Sequence, residues 1–274
     1  MQKALENVDK EKTYPGSTFK PLSVYAPAIE NGLICWSSMQ NDSPLKKVRG
    51  EDGADYDWPV NTDGKYSKKN VTVKYSLQNS LNTTAVKWIK KLTVEKSMDF
   101  LKSSFGLPLN SERKISLLSS DEEILGNIAL GYIADGASLT DMAGYYQIFA
   151  NGGKYTAPYT VEKITDSGGK TLYTAAPKEK QVISQKAAYI MNRLLLEVIS
   201  PGATGKNAAV NGVAAGGKTD KNADNWFVGF TPAVTCAVWH GGDTTTANGA
   251  PEIFAAIIGE LFPPNTDYPQ TTGV

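Results

Sequence analysis

The sequence contains very little histidine and cysteine, and this scarcity excludes several kinds of site. Its 274 residues include one histidine, His240, and two cysteines, Cys35 and Cys236. A single histidine excludes a multi-histidine metal site, and in an apolar predicted strand a packed histidine is more common than a catalytic base. The cysteines lack metal-ligand spacing, so we interpret both as small buried residues, with a disulfide as the lesser alternative. We predict no metal and no cofactor.

Long apolar runs and an excess of one charge are also lacking. No stretch of about 18 apolar residues occurs, and the residues after Met1 lack the apolar core of a secretory signal. Lysine plus arginine equals aspartate plus glutamate at 28 each, so no net field favours nucleic acid or anionic lipid. We therefore expect no nucleic-acid partner, and a membrane contact only through segments absent from this sequence.

The first candidate site lies in residues 14–21, where Lys20 follows Ser17 by three positions. Pro15 and Gly16 favour a loop that enters a helix, and helix positions i and i+3 are surface neighbours. Lys20 is thus placed to take the proton of Ser17, and the positive end of the helix dipole favours a developing alkoxide. The pattern occurs often by chance, so this interpretation needs partner residues.

Hydrophobic periodicity predicts a mainly helical region followed by a sheet. Residues 37–70 are rich in Asp, Asn, Pro, Gly and Lys, which predicts a long, mostly irregular excursion. A hairpin is predicted over 160–173, and the tail from Pro263 is expected to be loose. The predicted helices include 2–12, 19–29, 94–105, 124–134, 138–150, a helix capped by Ser184, and 251–262, and the predicted strands are 213–219, 226–230 and 234–239.

Two later stretches supply partners for Ser17. Ser80 and Asn82 lie between two predicted helical segments and offer a hydroxyl and an amide. Lys218 and Thr219 end a predicted strand and offer a second cation and a second hydroxyl. The ordered set Ser-x-x-Lys, Ser-x-Asn and Lys-Thr is the group found in penicillin-binding proteins and class A β-lactamases. Each motif is weak alone, but the three in this order are specific.

The surrounding residues strengthen this indication over nearly the whole chain. The sequence resembles the transpeptidase domain of class A, bifunctional penicillin-binding proteins in the segments Pro15-Gly16-Ser17-Thr18-Phe19-Lys20-Pro21, Pro59-Val60-Asn61, Val71-Thr72-Val73, Ser80-Leu81-Asn82-Thr83-Thr84-Ala85-Val86, Ala129-Leu130-Gly131, Phe149-Ala150-Asn151-Gly152-Gly153, Gly202-Ala203-Thr204-Gly205 and Trp226-Phe227-Val228-Gly229-Phe230-Thr231-Pro232.

The resemblance implies an α/β (α+β) fold, in which a helical subdomain packs on a mainly antiparallel sheet with the active site between them. We accordingly divide the chain into an N-terminal helix remnant at residues 1–13, a transpeptidase domain at 14–262 and a C-terminal tail at 263–274. It also implies a location in the bacterial cell envelope, at the outer face of the cytoplasmic membrane.

The resemblance also implies a chemistry. Ser17 would attack the carbonyl of a peptidoglycan stem peptide ending in D-Ala-D-Ala, with Lys20 as its base. Ser80 would relay a proton to the leaving amine, and Asn82 would hydrogen-bond Lys20 and the substrate. Lys218 would stabilise negative charge. An amine of a neighbouring stem peptide would resolve the acyl-enzyme, and β-lactams would acylate the same serine.

The strand that follows Lys218 departs from the family pattern. The family strand reads Lys-Thr-Gly-Thr-Thr, whereas here Thr219, which would bind the substrate carboxylate, is followed directly by Asp220 and Lys221. Asp220 places a carboxylate where the glycine would lie, and we expect it to repel a substrate that ends in a carboxylate. Lys221 would supply an oxyanion-hole amide only if the strand shifts. Thr219, Asp220 and Lys221 are the predicted substrate-binding residues.

A second departure lies near the start of the sequence. The two opening strands of the family are expected between residues 1–8 and Ser17, but the intervening residues are too few to encode them. We therefore expect a sheet of three strands with an uncovered edge, unless another chain supplies the missing strands.

Three functions fit these observations. The first is a D,D-transpeptidase, and the second is a catalytically impaired transpeptidase-like module that binds peptidoglycan or cell-wall partners. The third is a serine β-lactamase, which would need a glutamate-activated water. Its nearest candidate, Glu122, lacks the asparagine expected after it, so this is the least favoured of the three.

Overall fold

The helix that carries Ser17 is buried almost throughout. The computed structural model describes residues 12–107, 121–133, 136–220, 225–241 and 249–262. A 3₁₀ turn, Gly16–Phe19, leads into a π-helical turn, Pro21–Tyr25, and then into α1, Ala26–Glu30. Phe19, Leu22 and Tyr25 are fully buried. The helix predicted over residues 19–29 is confirmed, and Ser17 and Lys20 lie at its start.

The excursion at residues 37–70 contains more structure than its composition predicts. Strand β1, Met39–Asn41, pairs antiparallel with β4, Asn70–Thr72, and β2, Lys46–Arg49, pairs antiparallel with β3, Asp55–Trp58. Most residues of the excursion lie outside strands, as expected, but the four short strands were not predicted. Strands of three or four mostly polar residues leave no hydrophobic period to detect.

A layer of helices packs around α1. Its amphipathic members bury their apolar side, as α3 shows with Val86, Ile89 and Leu92. Side chains cap several helices: Thr72 accepts the N–H of Tyr75, and Ser184 accepts that of Ala187. The helices of this layer are α2 Val73–Gln78, α3 Asn82–Leu92, α4 Val94–Phe105, α5 Asp121–Leu130, α6 Leu139–Ala150 and α7 Gln185–Val198.

Four short strands follow α6 in the sequence, and two of them form the predicted hairpin. Strand β5, Lys154–Tyr155, pairs with β8, Lys180–Gln181. Strand β6, Lys163–Thr165, pairs with β7, Thr171–Thr174, which confirms the hairpin around residues 167–169.

The main sheet has three antiparallel strands among the described residues, in the order β11-β10-β9. They are β9 Gly216–Thr219, β10 Trp226–Phe230 and β11 Thr235–Trp239, and helix α8, Gly249–Leu261, closes the fold. The fold class and the strand number agree with the expectation from sequence. The predicted helix over 2–12 and the tail from Pro263 fall almost entirely outside the described residues.

The two faces of the sheet contact different cores. On β10, Val228 and Phe230 pack into the helical layer, whereas Phe227 packs with Phe254 and Ile258 of α8. This split follows from the alternation of side chains along a strand. Lys218 of β9 pairs with Val228, so its side chain shares the face that meets the helical layer. The sheet therefore presents Lys218 toward the helix of Ser17.

The environment of the two cysteines differs from the interpretation made from their spacing. Cys35 is exposed in the loop after α1, Cys236 is half-buried on β11, and both are free thiols. The predicted burial of Cys35 and the alternative of a disulfide were wrong. Within the described part of the chain, no helix combines the length and the apolar character that crossing a bilayer requires.

Candidate active site

Lys20 lies at the centre of a hydrogen-bond network contributed by distant segments. Its Nζ donates to the carbonyl of Ser80 at 2.7 Å, to Oδ1 of Asn82 at 2.6 Å and, more weakly, to Oγ of Ser80 at 3.4 Å. An ammonium has three protons to donate. Three acceptors in residues 80–82 lie within hydrogen-bond distance of this Nζ, and the side chain is 1% exposed.

Ser80 connects the two lysines of the site. Its Oγ accepts a hydrogen bond from Nζ of Lys218 at 2.8 Å, and Lys218 also donates to the carbonyl of Thr219 at 2.9 Å. Ser80 has a φ of 56°, in the left-handed region that a non-glycine residue rarely adopts. Such a conformation is maintained by its surroundings and is common at functional sites. Ser80 is therefore held between Lys20 and Lys218.

Asn82 is held by residues of the excursion. Its Nδ2 donates to the carbonyl of Val60 at 2.7 Å, and its backbone N–H donates to Oδ1 of Asn61 at 2.9 Å. Asn61 also accepts the N–H of Thr83 at 3.2 Å and thereby caps the start of α3. Its Nδ2 donates to Asp42 at 2.9 Å. Asn61 belongs to a segment that resembles the family, but its role was not inferred from sequence.

The electrostatics of Lys20 favour its use as a base. Burial lowers the pKa of Lys20 well below its ordinary value, and the nearby charge of Lys218 lowers it further, whereas Asp220 opposes the shift. Both lowering causes act against the ammonium form, since burial removes water and a like charge repels it. The neutral amine, which could accept the proton of Ser17, is thus more populated at a given pH than in an exposed lysine.

Asp220 lies directly against Ser17, the candidate nucleophile. Its Oδ1 accepts a hydrogen bond from the backbone N–H of Ser17 at 2.9 Å, and both residues are buried. The N–H of Asp220 donates to the carbonyl of Trp226 at 2.8 Å, which continues the pairing of β9 with β10. The backbone N–H of a serine nucleophile is an oxyanion-hole donor. In this structure a carboxylate of the same chain occupies that donor.

Two glycines allow this close approach. Gly16 has a φ of 53°, and a Cβ on it would lie 2.5 Å from Cγ of Asp220. Gly131 has a φ of 80°, and a Cβ on it would lie 2.1 Å from the carbonyl oxygen of Gly16. Neither space accommodates a side chain. The Ser17 turn is thus enclosed by Asp220 on one side and by Gly131 on another.

The structure brings together Ser17, Lys20, Ser80, Asn82, Lys218 and Asp220, but places Thr219 differently. Thr219 lies between Lys218 and Asp220 on one strand, so alternation directs its side chain toward the opposite face. Its Oγ1 is buried and has no hydrogen-bond partner among the described residues. Lys221 lies outside the described residues. The roles of both in substrate binding stay predictions.

Other residues considered from sequence lie apart from this site. His240 follows β11, which β10 separates from β9, and its N–H donates to the carbonyl of Asn225 at 3.2 Å. The side chain of Glu122 lies outside the described residues. Among the residues that the structure describes, no group of three or more His, Cys, Asp or Glu side chains could hold a metal ion.

Comparison with curated proteins identifies relatives of this chain. The family described as "Penicillin binding protein transpeptidase domain" matches residues 2–258. Penicillin-binding protein 1A of Clostridium acetobutylicum is 36% identical over 255 residues, which cover 89% of this chain and 30% of that protein. Penicillin-binding protein 1F of Bacillus subtilis is 32% identical over 242 residues, covering 85% and 31%. The chain therefore spans less than a third of the length of either relative.

Solved structures share the fold. The D,D-transpeptidase domain of a peptidoglycan glycosyltransferase from Eggerthella lenta matches with a TM-score of 0.68 and 23% identity, over 90% of this chain and 66% of that one. Penicillin-binding protein A from M. tuberculosis, solved as an imipenem acyl-enzyme, matches with a TM-score of 0.71 and 21% identity, over 92% and 60%. Taken with the family match, the chain belongs to the penicillin-binding protein transpeptidase domains.

Proposed function

We propose that this chain is a serine acyltransferase, a D,D-transpeptidase that cross-links peptidoglycan stem peptides and is acylated by β-lactams. One observation carries the proposal: Lys20, Ser80, Asn82 and Lys218 form a continuous hydrogen-bond network beside Ser17. These residues come from three separate segments of the sequence. The family match and the imipenem acyl-enzyme of a structural relative support the same chemistry.

The acylation step follows from these contacts. Oγ of Ser17 attacks the carbonyl carbon of the penultimate D-Ala as neutral Lys20 takes its proton. The C–N bond to the terminal D-Ala then breaks, and the leaving amine receives a proton through Ser80. Lys218 stabilises negative charge on the substrate. The products of this step are an ester on Ser17 and free D-Ala.

The second step regenerates Ser17. An amine of a neighbouring stem peptide attacks the ester carbonyl, and its proton passes through Ser80 and Lys20 to Oγ of Ser17 as the ester bond breaks. Asn82 keeps Lys20 in place by accepting from its Nζ. The net reaction exchanges one amide bond for another and needs no cofactor. The partners are thus stem peptides ending in D-Ala-D-Ala, and the site faces the outside of the cytoplasmic membrane.

The contact between Asp220 and Ser17 favours a second candidate function. A carboxylate on the N–H of Ser17 removes one oxyanion donor, and the loss of one such donor typically costs about 10² to 10³ in rate. Its negative charge also opposes a substrate that ends in a carboxylate. The second candidate is therefore a catalytically impaired module that binds peptidoglycan or cell-wall partners without cross-linking them.

Acylation by a fluorescent penicillin, read by intact mass, distinguishes these functions. A stable adduct of one penicillin per chain, lost in Ser17→Ala, is the result expected for the transpeptidase. Ser23→Ala is a matched control, since that hydroxyl is buried on the same helix and, within the described part of the chain, donates to the carbonyl of Phe19 alone. The absence of an adduct at every penicillin concentration would contradict the transpeptidase and favour the impaired binding module. Rapid release of hydrolysed penicillin would indicate a β-lactamase.

A further inference from the structure

A groove lies between the loop after α1 and helices α2 and α7. Its volume is about 440 Å³, within the range of roughly 300–1,000 Å³ typical of small-molecule sites. No residue of the Ser17 network lines it. Leu194, at its base, is buried. The other walls are exposed or half-buried aromatic and charged side chains, including Trp36, Lys74, Tyr189, Arg193 and Glu197.

Arg193 contributes the positive charge of the groove. Lys74 and Glu197, which also line it, pair with each other at 2.7 Å, and Gln78 donates to the Glu197 carboxylate at 3.3 Å. These two charges offset each other. The guanidinium of Arg193 thus supplies the remaining charge among the described lining residues, and it would attract one negative group.

The guanidinium of Arg193 is held in place but incompletely hydrogen-bonded. Its Cζ lies 5.1 Å from the ring centroid of Tyr189, a cation–π contact that orients the planar group. Its Nη2 is buried without a hydrogen-bond partner among the described residues. A buried donor without an acceptor is costly, so the hydrogen-bonding capacity of this guanidinium is not used up within the described chain. An oriented arginine is suited to recognise a carboxylate.

Trp36 provides a surface for the rest of a ligand. It is 46% exposed, whereas Trp88 and Trp226 are 4% and 1% exposed. An indole that is open to solvent in this groove offers contact area to an aromatic or apolar group. The groove therefore pairs one anion-binding group with an apolar wall.

We propose that this groove is a binding site for a small organic carboxylate with an aromatic or apolar body. The carboxylate accepts hydrogen bonds from Arg193, and the body of the ligand packs against Trp36. This site is separate from the acyl-transfer site. Helix α2 borders both sites, but none of the proposed reacting groups lines the groove. Its occupancy is therefore measurable without any acylation assay.

Binding is tested by fluorescence titration of the intact chain with 8-anilinonaphthalene-1-sulfonate as the reporter. Indole-3-acetate is expected to displace the reporter, whereas indole-3-acetamide, which has the same ring without the charge, is expected to compete about tenfold less well, as for the loss of one charged hydrogen bond. Equal competition by the acid and the amide would overturn the proposal, as would a failure of the acid to displace the reporter.

Substitutions locate the site. Arg193→Gln is expected to weaken indole-3-acetate about tenfold and to leave indole-3-acetamide within about twofold. Arg49→Gln is the matched control, because that arginine is exposed on β2 and pairs with Asp55 at 3.4 Å. If Arg193→Gln does not fold, as judged by circular dichroism, Arg193→Lys takes its place, since it keeps the charge but loses the planar fork. Unchanged affinity in the folded variant contradicts the assignment.

Discussion

The carboxylate of Asp220 accepts the backbone N–H of Ser17 at 2.9 Å, although the two residues are 203 positions apart in sequence. The contact connects the end of β9 to Ser17 and occupies a donor that the proposed acyl transfer needs. Gly16 has no side chain at the point of contact, so the carboxylate lies close to the backbone of the turn. Ser17 is thus restrained by a side chain at the end of a distant strand.

Replacing Asp220 by glycine should accelerate acylation. Asp220→Gly frees the N–H of Ser17 and removes the negative charge, so the second-order rate constant for a fluorescent penicillin should rise about 10²-fold. Asp220→Asn is the matched variant, since it removes the charge but retains an amide oxygen as acceptor, and it should give a smaller rise. A rate for Asp220→Gly at or below that of the unaltered chain would contradict the inferred restraint.

The pH dependence of acylation should respond in opposite directions to two substitutions. Acylation requires neutral Lys20, so its rate rises as the pH rises through the pKa of Lys20. Lys218→Gln removes a cause that lowers this pKa, so the rising limb should move to higher pH. Asp220→Asn removes a cause that raises it, so the limb should move to lower pH.

The acylation rate constant is measured across a range of pH. The quantity compared between variants is the pH at the midpoint of the rising limb, not the maximum rate constant. Because Lys218 also contacts Ser80, the maximum rate should fall in Lys218→Gln whatever happens to the midpoint. Midpoints that do not move in either variant would show that Lys20 is not the base.

Asp42 should stabilise the fold through the segment that holds Asn82. Its carboxylate is 2% exposed and accepts from Asn61 at 2.9 Å, Thr83 at 2.6 Å and the N–H of Ser67 at 2.8 Å. Asp42→Asn should lower the free energy of unfolding by about 2 kcal/mol, because an amide donor would face these donors. Urea denaturation measures the loss. Asp63→Asn, an exposed control, should change it by less than about 0.5 kcal/mol.

The contribution of Asp42 should depend on pH with a defined sign. Burial opposes ionisation, but hydrogen bonds from Thr83, Ser67 and Asn61 together hold the pKa of Asp42 below its ordinary value. A lowered folded-state pKa stabilises the fold above the unfolded value, about 3.9, and this stabilisation is lost as the pH falls through the folded value. The difference between Asp42→Asn and the unaltered chain should therefore narrow below pH 4 or so, and a difference that stays constant there would refute this account.

Cys35 should react with alkylating agents well before Cys236. Hydrogen bonds from Ser37 and Ser38 lower the pKa of the exposed Cys35 thiol to about 7, whereas burial raises the pKa of Cys236. At pH 7 about half of the Cys35 thiol is therefore thiolate, the reactive form. Replacing Ser37 and Ser38 by alanine should slow the labelling of Cys35 by iodoacetamide about tenfold at that pH. Peptide mass spectrometry measures the rates, and faster labelling of Cys236 would contradict the assignment.

The elements of this fold differ in how strongly the local sequence specifies them. Helices with a buried stripe, such as α4 and α7, were predicted because their hydrophobic period and their caps are local signals. The strands β1 to β4 were missed because each is short and mostly polar. In addition, β1 pairs with β4 across the whole excursion, a contact that has no local signal. The exposure of Cys35 was missed because spacing excludes ligand sets but does not reveal burial.

By itself the sequence determined the members of the site. Helix spacing predicted that Ser17 and Lys20 are neighbours. The resemblance of the ordered motifs to the penicillin-binding proteins predicted that Ser80, Asn82 and Lys218 join them. Only the tertiary structure decided where Asp220 and Arg193 point. Those directions depend on how β9 packs against the Ser17 turn and how α7 packs against α2, and such contacts between distant residues have no local signal in the sequence.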